Sequence, residues 1–162
     1  TAPSPSQSSM PSPDEPIFAS DEEALAAAEE AYAAYLVALD EAGINGGRDL
    51  SPLDAVVSSG FRDELAQAFD KLKQIGVRTE GTTTYERMSV VEVSGSWREH
   101  FVVTYVCLDV SSVRILNEKG ADVTPERPDI TPYQVQFEGS TSAESGLIVS
   151  GSDPWLGEDF CL

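Results

Sequence analysis

The chain has 162 residues, enough for one domain with its own core, and 41% of them are hydrophobic. Twenty-eight acidic residues against ten basic ones give a formal net charge of −18. Such a surface repels phosphate backbones and anionic lipid heads, which argues against a nucleic-acid binder, and no apolar run reaches the roughly 20 residues of a membrane-spanning helix.

Residues 1–16 (TAPSPSQSSMPSPDEP) hold five of the ten prolines and five serines, with Met10 as the one large apolar residue. Too little apolar surface is present to offset ordering entropy, so the segment is expected to be a disordered tether ahead of an α+β domain over 17–162. Proline extension at about 3.1 Å per residue would let it reach ~50 Å. The opening Thr1-Ala2-Pro3-Ser4 is similar to the stretch after the acylated cysteine of bacterial lipoproteins; on that reading a signal peptide and a lipidated cysteine precede it. A plain secreted or linker-borne domain is the alternative.

A first helix is predicted over 20–42. Ser20 and Glu23 form a capping box, and Asp21, Glu22 and Glu23 suit the positive end of the helix dipole. Leu25, Ala28, Tyr32, Tyr35, Leu36 and Leu39 recur at helical spacing, and Gly43 with Asn45-Gly46-Gly47 is the stop signal. Ser51-Pro52 starts a short second helix, with Ser51 as its cap, broken at Ser58-Ser59-Gly60. A third helix spans 61–75 on a stripe of Phe61, Leu65, Ala68, Phe69, Leu72 and Ile75, with Gly76 as stop.

Strands follow. Residues 82–94 are rich in Thr and Val, with an alternation that slips between Tyr85 and Val91 and implies a bulge. Residues 99–110 carry Phe101, Val103, Tyr105, Cys107 and Asp109 on one face and Val102, Thr104, Val106 and Leu108 on the other, so this strand is expected to be central and covered on both sides. Shorter strands are expected at 113–116 and 147–150, and a clean alternation over 132–138 turns Tyr133, Val135 and Phe137 inward. A tail from Asp153 to Cys161 closes the chain. Helices first and antiparallel strands afterwards describe an α+β fold.

Only Cys107, Cys161 and His100 could serve as soft metal ligands, too few for a zinc site, and neither cysteine lies in a CxxC pair. Two distant cysteines in an exported chain are most simply a disulfide, with two buried thiols as the alternative. No metal and no cofactor are expected. The glycine-rich Ala42–Arg48 lacks the Gly-Lys-Ser/Thr of a phosphate cradle, and Asn117–Asp122 lacks the oxygen spacing of a calcium loop and reads as a hairpin turn.

The order helix, short helix, helix, curved antiparallel sheet resembles the NTF2-like (cystatin-like) cone. The local text Cys107-Leu108-Asp109-Val110-Ser111, Val113-Arg114, Gly120-Ala121-Asp122-Val123-Thr124, Arg127-Pro128, Trp155 and Phe160-Cys161 resembles actinobacterial secreted lipoproteins, over roughly residues 20–161. The resemblance implies a cone-like fold, an envelope location and a cysteine pair, and it implies no activity.

Function on a cone lives in the residues lining it. Asp109, beside Tyr105 and Cys107, is the weak candidate for a catalytic base with a raised pKa; its competing role is to bond backbone amides or Arg114 at the strand end. His100 is expected to be exposed. Tyr35, Tyr105, Trp97 and Trp155 are candidate ligand-binding aromatics, with core packing as the competing role for the tyrosines. Trp97, in a turn beside Gly95 and Ser96, is hard to bury. The leading expectation is a non-enzymatic, extracytoplasmic lipoprotein domain, a monomer or weak dimer, that binds a small apolar ligand or an envelope protein. The alternative is a small isomerase- or cyclase-like enzyme with Asp109 in its cone.

Overall fold

A computed structural model describes residues 17–162, so the expected tether over 1–16 lies outside the described residues. Two helices pack on one face of a curved, open antiparallel sheet. Helix α1 runs Asp21–Ile44, capped by the Ser20 hydroxyl, which accepts the Glu23 N–H at 3.2 Å. It continues past Gly43, because the chain first departs from helical geometry at Asn45, followed by Gly46 and Gly47 with φ of 70° and 77°. The expected second helix is a 3-10 turn, Ser51–Leu53; Leu50 occupies the cap position in place of Ser51 and makes no side-chain cap bond. Helix α2 runs Ser59–Ile75. Its start lies two residues earlier than expected, because the Ser58 hydroxyl accepts the Phe61 N–H and Ser59-Gly60 enter the first turn. Gly76, at φ 70°, ends it.

Strands β1 (Arg78–Glu80) and β4 (Arg114–Leu116) pair with each other and stand apart from the main sheet. At three residues each they carry almost no periodic signal, and β1 was not legible in the sequence. The main sheet has the order β2–β3–β5–β6, from β2 (Thr84–Gly95), β3 (His100–Asp109), β5 (Ile130–Gly139) and β6 (Leu147–Pro154). The irregular alternation in β2 corresponds to register shifts between Tyr85 and Met88 and between Val90 and Glu92. Strand β3 pairs β5 without interruption from Phe101↔Glu138 to Asp109↔Ile130. Beside β6, the loop before α2 adds the parallel bridge Val57↔Val149, and Ser58 N–H donates to the Val149 carbonyl at 2.9 Å. That loop covers one sheet edge and leaves β2 as the other.

The core lies between α1 and the sheet. Ala28, Tyr32, Tyr35 and Leu36 meet Val102 and Val106 of β3, Val135 and Phe137 of β5, and Leu147 and Val149 of β6. Each of the larger aliphatic and aromatic side chains contributes about 1.5–3 kcal/mol on burial, so this layer dominates stability. Alanines at 24, 28, 31, 38 and 42 are buried, which lets α1 approach the sheet closely. One polar clamp joins helix to strand: Asp40 accepts the Thr83 N–H at 2.8 Å and its hydroxyl at 2.6 Å.

The second face of β3 is covered only in part. Cys107 is buried beneath the C-terminal tail, but Phe101 at the other end is 38% exposed. The expectation of cover on both sides therefore holds for one face and half of the other.

Candidate functional site

The candidate aromatics fall in three places. Tyr35 sits inside the helix–sheet core, 4% exposed and stacked on Tyr32 with ring centroids 5.7 Å apart. Burial pushes both phenols well above their ordinary range, with the neighbouring tyrosine hydroxyls adding to it. Tyr105 lies on the opposite face of the sheet, where Phe160 stacks on it at 5.0 Å and Trp155 meets it at 4.8 Å. Trp97 stands in the turn between β2 and β3. Strand alternation places Tyr105 on the face away from α1, so the four rings share no pocket.

Asp109 is at the end of β3 and reaches solvent. Its Oδ1 accepts the Ser111 N–H at 2.8 Å. Hydrogen bonding from Ser111, side chain first and backbone second, holds the carboxyl below its usual range. A general base in an apolar pocket needs the opposite shift. Arg114 does not reach Asp109: its Nη1 donates to the carbonyls of Ser111 and Val113, both at 3.1 Å.

Cys107 and Cys161 are joined in a disulfide with Cα atoms 5.6 Å apart. The bond fixes the tail on the outer face of the sheet, away from the helices. Arg87 adds a hydrogen bond from Nη2 to the Cys161 carbonyl at 3.0 Å. Tyr105 is thereby occupied by the chain's own Trp155 and Phe160. Tail residues Asp153 and Pro154 belong to β6, opposite Gln134 and Tyr133.

A different place combines shape with unspent polarity. At the end of the sheet where β2 turns into β3, a cavity of about 470 Å³ is walled by Phe18, Trp97, His100 and Ala143, with Ser140 and Thr141 at its side. Each wall has a local cause. Phe18 precedes the α1 cap, where the Ala19 N–H bonds Glu23, so the chain turns across the sheet end. His100 was expected to be exposed, yet it is 8% exposed. Even-numbered β3 residues face the core, and Phe18 meets the imidazole edge-on at 5.9 Å. Its Nδ1 lies 3.1 Å from the Ser96 carbonyl. Gly139 gives the ring its space: a Cβ there would overlap the imidazole. The Arg98 guanidinium lies 5.4 Å from the Trp97 ring centre, a cation–π contact. Trp97 Nε1 is shielded from solvent and has no hydrogen-bond partner among the described residues. Trp97 was nominated from the sequence for its turn position; Phe18, His100 and Gly139 were missed as lining, and strand parity at His100 was the available signal.

No family model matches the chain, and no curated protein matches it. Among solved structures, it is similar to a periplasmic fragment of TraM, with a TM-score of 0.52 at 13% identity over 85% of this chain and 98% of that one. It is also similar to the intermembrane-space region of the chloroplast protein ARC6, with a TM-score of 0.46 at 17% identity over 80% of this chain and 95% of that one. At such identities the TraM likeness concerns fold alone, and the second score carries no argument.

Proposed function

We propose that this chain is a non-enzymatic extracytoplasmic binding domain whose ligand is a small apolar molecule carrying a hydrogen-bond acceptor, held in the Phe18–Trp97–His100 cavity. The observation that carries the reading is that Trp97 lines that cavity while its Nε1 is buried without a partner among the described residues. A buried donor without a partner costs ~1–3 kcal/mol, which an acceptor brought in by a ligand would recover. The aromatic walls supply burial for the ligand's apolar part. The non-catalytic reading is supported by Asp109, the nominated base, which is stabilised as a carboxylate at a strand end outside this cavity.

The Cys107–Cys161 bond supports an oxidising compartment, since such bonds persist outside the reducing cytosol. Membership of the actinobacterial NTF2-like lipoproteins, with a lipid anchor ahead of residue 1, remains part of this proposal. It rests on the quoted sequence words and on the helix-first order of elements.

A neutral acylated dimethylaminonaphthalene dye has the required apolar body and carbonyl, and it brightens on leaving water. Saturable one-to-one brightening is expected. Trp97→Phe keeps the wall but removes the donor, and should weaken binding about fivefold to tenfold, the worth of one neutral hydrogen bond of ~1 kcal/mol. Phe18→Ala should weaken it further. Absence of saturation, or equal affinity in Trp97→Phe, would remove the cavity from the reading.

A further inference from the structure

A cavity of about 640 Å³ lies far along the fold from Trp97, between the C-terminal ends of the two helices and the β1–β4 pair. Three of the ten cationic side chains line it: Arg48 from the loop after α1, Lys73 from the last turn of α2, and Arg78 at the start of β1. Three separate elements thus bring like charges together in a chain of net charge −18. The one carboxylate in the lining is Glu118; Asp70 and Glu80 stand just outside it, paired with Lys73 and Arg78.

Helix C-termini attract cations by themselves, and that would be a sufficient reason for the cluster if the terminal carbonyls needed partners. They already have them. Gly47 N–H donates to the Ala42 carbonyl at 2.8 Å, Val77 N–H to Leu72 at 3.2 Å and Gly76 N–H to Lys73 at 3.2 Å. The terminal carbonyls therefore do not account for the three cations. Lys73 pairs with Asp70 at 2.9 Å and Arg78 with Glu80 at 3.9 Å, both in solvent, where such pairs exchange readily. Arg48 makes no ion pair among the described residues. Asn117 adds an oriented amide: its Oδ1 accepts the Lys119 and Ala121 N–H groups, each at 3.0 Å, leaving Nδ2 as the donating end. Glu118 packs over Gly76, whose positive φ and missing side chain make the room.

We propose that this cleft binds a phosphate monoester of metabolite size, gripped by Arg48, Lys73 and Arg78, with Glu118 as the one opposing charge in the lining. A phosphate monoester is nearly dianionic at neutral pH, and Arg48, unpaired among the described residues, faces it while Lys73 and Arg78 reach it by exchanging their exposed pairs. The volume exceeds what a bare phosphate fills and falls within the range of small-molecule sites. At ~0.15 M salt the repulsion from the rest of the acidic surface is screened beyond ~8 Å, whereas contacts inside the cleft are not. A phospholipid head presents the same chemistry, but a charged bilayer would face the whole acidic surface at once. The soluble ester is therefore the assigned source. This site is independent of the Trp97 cavity, so either can fail without the other.

The test is calorimetric titration of the whole chain with glucose monophosphate, inorganic phosphate and glucose, beside sedimentation with phosphatidic acid vesicles, all at ~0.15 M salt. Saturable binding of the monophosphate, weaker binding of phosphate and none of glucose are expected. Arg48→Ala, a change at an exposed side chain, should weaken binding about tenfold, and Glu118→Gln should strengthen it severalfold. The gain in Glu118→Gln cannot come from a damaged fold. No heat with the monophosphate, or unchanged affinity in both variants, would overturn the site. Sedimentation with the vesicles would overturn the soluble source.

Discussion

Gly139 and His100 show how one missing atom decides where a ring can sit. A Cβ at position 139 would overlap the imidazole, which is held from the other side by Phe18 and the Ser96 carbonyl. Gly139→Ala should therefore cost ~1–3 kcal/mol by overpacking and move the His100 ring resonances, as read by thermal unfolding and NMR. An unchanged melting temperature would mean that the ring has room to move. Asp109 offers a second test at this scale. Its pKa is lowered, so its contribution to stability is present above the ordinary carboxylate value of 3.8 and is lost as pH falls through the lower folded value. Carboxyl NMR titration should place its midpoint below 3.8. A midpoint above that would restore the candidate base. From sequence, the position of Asp109 at a strand end beside Ser111 was legible. The depth of His100 was not, because it depends on Phe18 folding back from another segment.

Helix α1 is the element that organises the rest, and its stripe was readable because Tyr32, Tyr35 and Leu36 recur at helical spacing. Its boundary was read two residues short because Gly43 is a helix-compatible glycine, whereas Gly46 and Gly47 make the turn. The two strands that pair apart from the sheet were the hardest part of the fold, since their pairing is a long-range fact. The aromatic grouping also failed at this scale: spacing shows which residues share an element's face, but not which face the helices take. The buried tyrosine pair gives a pH prediction. Both phenols are raised, so stability is full below pH 10.0, their ordinary value, and is lost as pH rises from there toward the folded-state values, because the unfolded chain ionises first. Tyr32→Phe/Tyr35→Phe should shift alkaline unfolding upward in pH, followed by far-UV circular dichroism. An unchanged alkaline midpoint would mean that other groups drive the transition.

The whole molecule is a small core reinforced by a covalent strap. Cys107 and Cys161 are 54 residues apart, and closing that loop removes unfolded-state entropy worth ~4 kcal/mol. Cys161→Ser should lower stability by an amount of that order in denaturant melts and expose Tyr105 to solvent. A loss below ~1 kcal/mol would show that the stacked tail holds itself in place.

The claim that most needs a direct test is that Trp97 donates to a bound acceptor. In uniformly nitrogen-labelled protein the chain's two indole N–H signals can be assigned with Trp155→Phe. Titration with the carbonyl-bearing naphthalene dye should move the Trp97 indole proton downfield, the direction of a newly formed hydrogen bond, and leave Trp155 unshifted. A Trp97 signal that stays in place while Trp155 moves would put the ligand on the tail-covered face and contradict the proposed site.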